Sequence, residues 1–431
     1  MATLIYNCTA VLMDEGGTIL PGAFVAVEET KISFVGTERP AGQFSEEIDG
    51  KGHVLMPGLV NAHTHVPMTL LRGYGGGTDL QTWLTQFIFP AEDKLDARAV
   101  RAGVKLALAE MIASGTTTIA DMYMFCDEIC QEVVQAGLSA NICRGLTLFS
   151  DDFSPEVHAG FLDMQALHKT WHGYGEGQIL VDACIHGEYT SKPQLWGATA
   201  DFAANHNLGM HVHVSETRAE HEACKARHGK TPIAVLNDFG IWDTRAIAAH
   251  CVWTEEADWE IMRGKGVSVI HNPVSNLKLG SGIAPIPRMK KAGVRIGLGT
   301  DGASSNNNLD LFEEMKFASI LHNGANCDPL ALLPLDVLRM ATAEGAAALG
   351  RKTGQIAVGY TADLILVDFT KPHLMPCHSA ADNLVYSARG SDVSMNMARG
   401  KVIYKDGVFF TLDLEAARAE AISYAVPLLF G

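Results

Sequence analysis

Short runs that alternate between apolar and polar residues occupy both ends of the chain. Residues 23–27 (AFVAV) and 31–36 (KISFVG) are separated by a polar turn, which predicts a β-hairpin. Towards the other end, residues 363–368 (DLILVD) and 401–408 (KVIYKDGV) predict further strands. Because neither set is large enough to bury an apolar face alone, we expect both ends of the chain to build one small β-sandwich.

Between these ends, strand-like and helix-like segments alternate over about 300 residues, as in a barrel of parallel strands. Residues 99–114 have helical periodicity, and the predicted strands are 116–121, 179–184, 209–214, 246–250, 267–271 and 294–299. The predicted fold is therefore α/β. A TIM-like (β/α)8 barrel spans residues 58–358, and residues 1–57 plus 359–431 form a composite β-sandwich domain.

Composition limits the partners and the compartment. The chain has 431 residues, 47% of them hydrophobic, and a net charge of −16 without a basic cluster. Nucleic acids and anionic membranes are therefore not expected partners. The nine cysteines include no Cys-x-x-Cys pair, and the first residues lack the basic segment of a secretory signal. We expect a cytoplasmic protein whose cysteines fill its core.

Residues 57–65 (PGLVNAHTH) place His63 and His65 two positions apart at the end of an apolar run. Side chains alternate along a strand, so both imidazoles point the same way. A single strand-end histidine is usually a hydrogen-bonded structural group, but the strands of a parallel barrel end at one face. Other predicted strands also end near polar residues, namely His186, His213, His250, His271 and Asp301. The series predicts an active site at that face.

Three neutral imidazoles and one carboxylate are suitable ligands for a divalent transition metal. We assign His63, His65, His213 and Asp301 to one metal ion per chain, with a coordination position left for water. Zinc is the expected ion, and iron or manganese would fit the same donors. A bound zinc lowers the pKa of that water towards ~7.

Glu216 follows His213 by three residues, just past the predicted strand. A carboxylate there can act as a general acid and base towards a ring nitrogen, whereas the alternative is a surface glutamate. We interpret His250 as a hydrogen-bond partner of the reacting oxygen, or else as a structural histidine. His211 shares its strand face with His213 but lies deeper, so we interpret it as a core residue. His271 stays outside the catalytic set.

Four segments together resemble the amidohydrolase superfamily, in its mononuclear deaminase branch: residues 57–65 (PGLVNAHTH), 211–216 (HVHVSE), 271–276 (HNPVSN) and 299–302 (GTDG). The resemblance covers nearly the whole chain, including the split sandwich. It implies hydrolytic deamination in which Glu216 protonates the ring, His250 and the metal hold the new oxygen, and Asp301 passes a proton to the departing amine. Relatives with two metals often carry a carboxylated lysine on the fourth strand. Residues 184–186 (CIH) have none, which favours one metal.

Within that branch the chain most resembles the 5′-methylthioadenosine/S-adenosylhomocysteine deaminases, through residues 71–73 (LRG), 83–84 (WL) and 89–93 (FPAED). By this resemblance Glu92 binds the ribose, and a carboxylate can accept both hydrogen bonds of a vicinal diol. Arg144 matches an arginine near the ribose and the 5′ tail, and His186 matches a histidine that contacts the ligand. Trp83 either packs on the tail or fills the barrel mouth.

One departure concerns the 5′ tail. Family members that accept a homocysteine tail often carry a second arginine a dozen residues after the first. Residues 150–156 (SDDFSPE) are acidic here and contain no arginine. Since like charges repel, we predict a preference for methylthioadenosine, 5′-deoxyadenosine or adenosine over S-adenosylhomocysteine.

The expected function is zinc-dependent hydrolytic deamination of adenine nucleosides to the inosine analogue and ammonia. Alternatives are a deaminase or chlorohydrolase of guanine, a pterin or a triazine, and a cyclic amidohydrolase, which usually needs two metals. A non-catalytic metal-binding subunit is a further alternative, against which Glu216 argues. The apolar residues 425–430 (AVPLLF) can pack on their own domain or on another copy, which is compatible with a homo-oligomer.

Overall fold

The structure is a computed structural model that describes residues 2–431; Met1, which falls in the predicted sandwich, lies outside the described residues. Its first strands are β1 (Ala2–Val11), β2 (Ile19–Glu28), β3 (Lys31–Gly36), β4 (Glu46–Asp49) and β5 (His53–Pro57). β2 and β3 form the predicted hairpin, with Glu28 opposite Lys31. β1 pairs antiparallel with β2 and parallel with β4 and β5, so it joins the N-terminal strands into one sheet.

The central strands run parallel to one another. They are β6 (Leu59–His65), β7 (Thr116–Tyr123), β8 (Ser139–Arg144), β9 (Ile179–Val181), β10 (Ala183–Gly187), β11 (Met210–Val214), β12 (Ala246–His250), β13 (Ser268–His271), β14 (Arg295–Leu298) and β15 (Asp301–Gly302). Hydrogen bonds join them in the orders β15-β6-β7-β8-β9 and β10-β11-β12-β13-β14. Only Asp182 separates β9 from β10, and only two residues separate β14 from β15. The ten segments thus make eight barrel strands, and the predicted (β/α)8 barrel is confirmed.

Helices connect these strands and cover the barrel. Their bounds are α1 (Leu80–Trp83), α2 (Phe89–Glu92), α3 (Ala97–Ala113), α4 (Cys126–Ala136), α5 (Ala159–Trp171), α6 (Tyr174–Gly177), α7 (Pro193–His206), α8 (Arg218–His228), α9 (Pro232–Asp238), α10 (Glu256–Lys265), α11 (Pro273–Lys278), α12 (Ile286–Lys291), α13 (Ala303–Asn306), α14 (Leu311–Asn326), α15 (Pro334–Met340), α16 (Ala343–Ala348), α17 (Ala380–Asp382), α18 (Leu414–Glu420) and α19 (Val426–Phe430). The predicted helix at 99–114 is α3. It begins at Ala97 because the Asp96 side chain accepts a hydrogen bond from the Ala99 amide.

The last strands complete the sheet that the first strands begin. They are β16 (Leu364–Asp368), β17 (Val393–Ala398), β18 (Lys401–Lys405) and β19 (Val408–Phe409). The sheet order is β19-β18-β17-β16-β5-β1-β2-β3, with β4 on β1, and the β5–β16 pair joins the two ends of the chain. Apolar side chains from both ends share one core, so the predicted terminal β-sandwich is confirmed. We propose residue 57/58 and residue 358/359 as the domain boundaries.

The barrel turns the carboxyl ends of its strands towards one face, which is where the candidate residues lie. Seven of the nine cysteines are buried, and within residues 2–431 all nine are free thiols. In the same part of the chain, no helix is long and apolar enough to cross a membrane.

Candidate active site

A cavity of about 350 Å³ opens at the carboxyl ends of the barrel strands. Nearly every site residue that we predict from the sequence lies at this cavity. His63 lies behind the cavity and is fully buried. The other predicted site residues all line it: His65, Trp83, Glu92, Arg144, His186, His213, Glu216, His250 and Asp301.

Four side chains converge at the floor of this cavity. His65 Nε2 lies 3.1 Å from Asp301 Oδ1 and 3.3 Å from His213 Nε2. His63 Nε2 lies 3.5 Å from the same Asp301 oxygen. The ligand atoms of His63, His65 and Asp301 fit within 4.8 Å of one another, and so do those of His63, His213 and His250. The predicted metal ligands therefore share one location, with His250 beside them.

The hydrogen bonds on the far side of each ring show where the protons are. Nδ1 of His65 donates to the Met122 carbonyl at 2.6 Å, and Nδ1 of His213 donates to the His186 carbonyl at 2.7 Å. A ring that binds a metal in its neutral form then presents its lone pair at Nε2. His63 Nε2 is buried and has no hydrogen-bond partner. Lone pairs that face one another and a carboxylate need a cation between them, so this donor set fits a divalent metal ion.

The orientation of Asp301 is held by its neighbours. Its Oδ2 accepts hydrogen bonds from Ser275 Oγ at 2.7 Å and from Ser305 Oγ at 2.8 Å. Its Oδ1 accepts from the Gly302 amide and faces the histidines. Three donors thus fix the carboxylate with one oxygen towards the imidazoles.

His211 does more than fill the core. It is buried, as we predicted, but its Nε2 lies 2.8 Å from His63 Nδ1. A donated hydrogen bond from His63 Nδ1 leaves the lone pair of His63 on Nε2, towards the cluster. His211 is therefore the hydrogen-bond partner of the far nitrogen of His63, a second role that sequence spacing does not reveal.

Left-handed backbone at three strand ends aims the catalytic candidates. Ser215, His250 and Asp301 have φ values of 49°, 71° and 60°, which non-glycine residues adopt at a cost. Ser215 follows β11, His250 ends β12, and Asp301 begins β15, the two-residue continuation of β14. The turn at these positions brings Glu216, His250 and Asp301 into one cavity.

Glu216 is held from both sides. Its amide and that of Ser215 donate to the two carboxylate oxygens of Glu220, each at 2.8 Å, in the capping box that starts α8. Its own Oε1 lies 3.4 Å from Ser281 Oγ, and its Oε2 lies 3.9 Å from His250 Nε2. Burial raises the pKa of Glu216, which brings protonation closer to neutral pH.

His250 points Nε2 into the cavity because its Nδ1 donates to Asn276 Oδ1 at 2.8 Å. His186 also lines the cavity, where Thr190 lies 3.0 Å from its Nδ1. Burial lowers the pKa of His186 to about 4, so this ring is neutral at pH 7.

Glu92 and Tyr123 form a buried pair in the cavity wall. The Tyr123 hydroxyl donates to Glu92 Oε1 at 2.5 Å. Burial raises the pKa of Glu92 to about 7, although this hydrogen bond opposes the rise. Within residues 2–431 Glu92 Oε2 has no such donor, which leaves an acceptor for a bound molecule.

Trp83 and Arg144 complete the wall. Trp83 is buried, and its Nε1 donates to the Tyr74 carbonyl at 3.2 Å. Arg144 donates to the neighbouring Gly145 carbonyl and pairs with the exposed Asp163 at 3.4 Å. Since Arg144 is the one lysine or arginine that lines the cavity among residues 2–431, the wall has little positive charge to offer an anion.

Several supporting residues lie outside the sequence-based set. Ser275, Ser305, Glu220 and Asn276 each orient a candidate group, and Tyr123 orients Glu92. Tyr123 has a weak signal in the sequence, because it lies two residues after the predicted strand 116–121. The others lie on α8, α11 and α13. Glu220 has the spacing of a capping box with Thr217, whereas no spacing rule predicts the contacts of Ser275, Asn276 and Ser305.

The chain belongs to the amidohydrolase family, whose profile matches residues 54–403. This membership agrees with the geometry of the site. It confirms the predicted resemblance and the prediction that the chain is an enzyme.

Curated relatives show which members of the family this chain resembles. A protein named 5′-deoxyadenosine deaminase from Methanosarcina mazei is 43% identical over 427 residues, which cover 99% of this chain and 98% of the relative. One named 5-methylthioadenosine/S-adenosylhomocysteine deaminase from Moorella thermoacetica is 43% identical over 422 residues, 97% of each chain. Among solved structures, an adenosine deaminase from Xanthomonas campestris with bound zinc superposes with a TM-score of 0.94 at 32% identity, covering 99% of this chain and 98% of that one.

The hydroxyls on Asp301 lead to a prediction about metal retention. Replacing both serines, Ser275→Ala with Ser305→Ala, should weaken metal binding by about 10- to 100-fold, because the carboxylate loses the donors that orient it. Metal content after dialysis against a graded chelator measures the effect. Ser319→Ala removes a buried serine hydroxyl that contacts Leu332 and Tyr386, and should retain metal as the wild type does. Equal retention in all three proteins would contradict the assignment.

Proposed function

We propose that this chain is a metal-dependent aminohydrolase that converts adenine nucleosides to the corresponding inosine compounds and ammonia. The observation that carries the proposal is one cavity that holds four converging metal-type donors, the buried acid Glu216 and the buried acceptor Glu92. Relatives named for deamination of 5′-deoxyadenosine, methylthioadenosine and S-adenosylhomocysteine support the same reaction class.

His63, His65, His213 and Asp301 would hold one zinc ion, and the bound zinc in the similar Xanthomonas campestris structure supports this choice. When bound, the metal supplies Lewis acidity that makes a water molecule a nucleophile at neutral pH. The chain itself orients the donors: His211 contacts His63 from behind, and Ser275 and Ser305 donate to Asp301, so these three residues hold two of the four ligand residues in position.

Glu216 is the proposed proton carrier. Its raised pKa lets it take a proton from water and deliver it to N1 of the adenine ring, which draws electron density from C6. A C6–O bond forms and the C6–N bond breaks. His250 presents Nε2 to the new oxygen, and Asp301 relays the remaining proton of the former water to the amine, which leaves as ammonia.

The cavity wall is proposed to bind the nucleoside. Glu92, held by Tyr123, accepts hydrogen bonds from the ribose hydroxyls, and Trp83 provides an apolar face beside it. His186 and Arg144 contact the sugar and the 5′ end. We propose small uncharged 5′ groups, because Arg144 is already engaged by Asp163 and Asp152 lies in the groove that adjoins the cavity.

The reaction is tested with adenosine and methylthioadenosine, followed by ultraviolet absorbance and by ammonia release. The wild type should deaminate both, lose activity when a chelator removes the metal, and recover activity with zinc. Glu216→Gln should lower kcat by about 10³-fold while metal content is unchanged, because proton transfer is lost. Glu222→Gln, an exposed acid on the following helix, serves as the control and should stay near wild type. Full activity in Glu216→Gln would contradict its role.

The 5′ preference is tested by comparing kcat/KM for methylthioadenosine and S-adenosylhomocysteine. We expect a value at least about tenfold lower for S-adenosylhomocysteine, since its tail carboxylate meets acidic side chains and lacks a free cation. Asp163→Asn releases Arg144 and should narrow this gap. A strong preference of the wild type for S-adenosylhomocysteine would show that the 5′ assignment is wrong.

The Glu92–Tyr123 pair leads to a pH prediction. Protonated Glu92 is a poorer acceptor, so KM for adenosine should fall as pH rises through about 7, the pKa that burial gives this carboxyl. The groups that act on Glu92 are Tyr123, His65 and Asp93. Tyr123→Phe removes a bond that lowers the pKa, so the inflection should move to higher pH. 2′,3′-Dideoxyadenosine, which has no diol, should lack the inflection; the same inflection with it would exclude this role.

A further inference from the structure

We propose that Phe430 and Leu429 are positioning residues for the cavity wall that carries Trp83 and Glu92. Both lie on α19, outside the cavity and far along the chain from the wall. The inference rests on the proposed function, because it concerns how tightly that wall holds a nucleoside.

The segment that carries Trp83 and Glu92 begins with a loop that has little conformational preference of its own. Residues 72–79 (RGYGGGTD) contain four glycines, and Gly73, Gly75 and Gly77 have positive φ values. A glycine-rich segment has many accessible conformations, so contacts made by its other residues must select one. The loop has two large side chains: Arg72, which pairs with Glu110 at its start, and the aromatic Tyr74, which makes such contacts further along.

Tyr74 is held between two aromatic rings. Its ring centroid lies 4.7 Å from that of Phe430 and 5.7 Å from that of Phe87. Its carbonyl accepts the indole hydrogen bond of Trp83, which lines the cavity. Phe430 therefore holds Tyr74, and Tyr74 in turn holds Trp83.

The other end of the wall is tied to the same helix. Lys94, two residues after Glu92, donates from Nζ to the Leu429 carbonyl at 2.7 Å. Leu429 itself is 1% exposed and packs in the core beneath. The two contacts, Phe430 with Tyr74 and Leu429 with Lys94, fasten both ends of the segment that includes α1 and α2.

The segment that leads into α19 is fixed to the barrel. Arg98 on α3 pairs with Glu420, and its guanidinium lies 3.8 Å from the ring centre of Tyr424. The Tyr424 hydroxyl donates to Asp96. Because these contacts anchor the segment before α19 on the barrel, α19 can hold residues 72–79 without moving with them.

Loss of the support should lower the fraction of molecules in which the wall is in its binding position. Apparent affinity falls by that fraction, whereas Glu216 and the metal-type donors stay on the barrel strands. The expected signature is therefore a rise in KM with little change in kcat.

Phe430→Ala tests this in the full chain with methylthioadenosine. We expect KM to rise about fivefold, with kcat within about twofold of wild type. Phe430→Tyr, which keeps the ring, should restore KM. Phe410→Ala is the matched control, because Phe410 is exposed, at 59%, and its ring makes no stacking contact in residues 2–431. Lys94→Met, which removes the donor and keeps the stem, should raise KM in the same direction.

Hydrogen exchange over residues 72–92 gives a readout that does not depend on activity. Exchange there should be faster in Phe430→Ala than in wild type, with the barrel strands unchanged. If wild type does not deaminate nucleosides, the proposed function fails, and the exchange still decides whether the wall is supported. Unchanged exchange, an unchanged KM, or a matched loss of kcat and thermal stability in Phe430→Ala would overturn the inference.

Discussion

The convergence of unshared electron pairs at one point is the constraint on which the rest of this structure depends. Nε2 of His63, His65 and His213 and one oxygen of Asp301 meet at the floor of the cavity, with distances of 3.1–3.5 Å between neighbouring atoms. Such an arrangement repels itself unless a cation lies within it. Much of the surrounding structure can be understood as holding these atoms in place: backbone carbonyls behind two rings, a histidine behind the third and two serines behind the carboxylate.

The barrel holds these atoms together because its strands and its loops have different roles. Parallel strands bring the donors to one face, where the hydrogen-bonded sheet keeps their spacing constant. Left-handed backbone at Ser215, His250 and Asp301 then accompanies the turn that brings Glu216, His250 and Asp301 into the cavity. The chemistry lies on rigid elements, whereas Trp83 lies on a short helix that follows a glycine-rich loop, and its position depends on contacts from elsewhere.

The composite domain links the two ends of the chain to that arrangement. β5 pairs with β16, so the strand that leads into the barrel and the strand that leaves it are neighbours. The segment after the last strand crosses to α3 and to the cavity wall, through Arg98 and Lys94. The composite domain holds no candidate catalytic residue, yet it contacts the barrel beside the cavity. Apolar side chains of the cavity wall and of the far end of the chain share one core.

The sequence by itself determined the barrel, the paired ends and the ligand-type residues at the strand ends. Strand periodicity and the spacing in residues 57–65 and 211–216 are local properties, so they can be recognised without the fold. Only the tertiary structure decided which groups orient these residues. Tyr123 meets Glu92, Ser275 meets Asp301 and Phe430 meets Tyr74 across 31, 26 and 356 positions of sequence. No local pattern encodes such contacts, because they arise when separate loops and helices pack at the same end of the barrel.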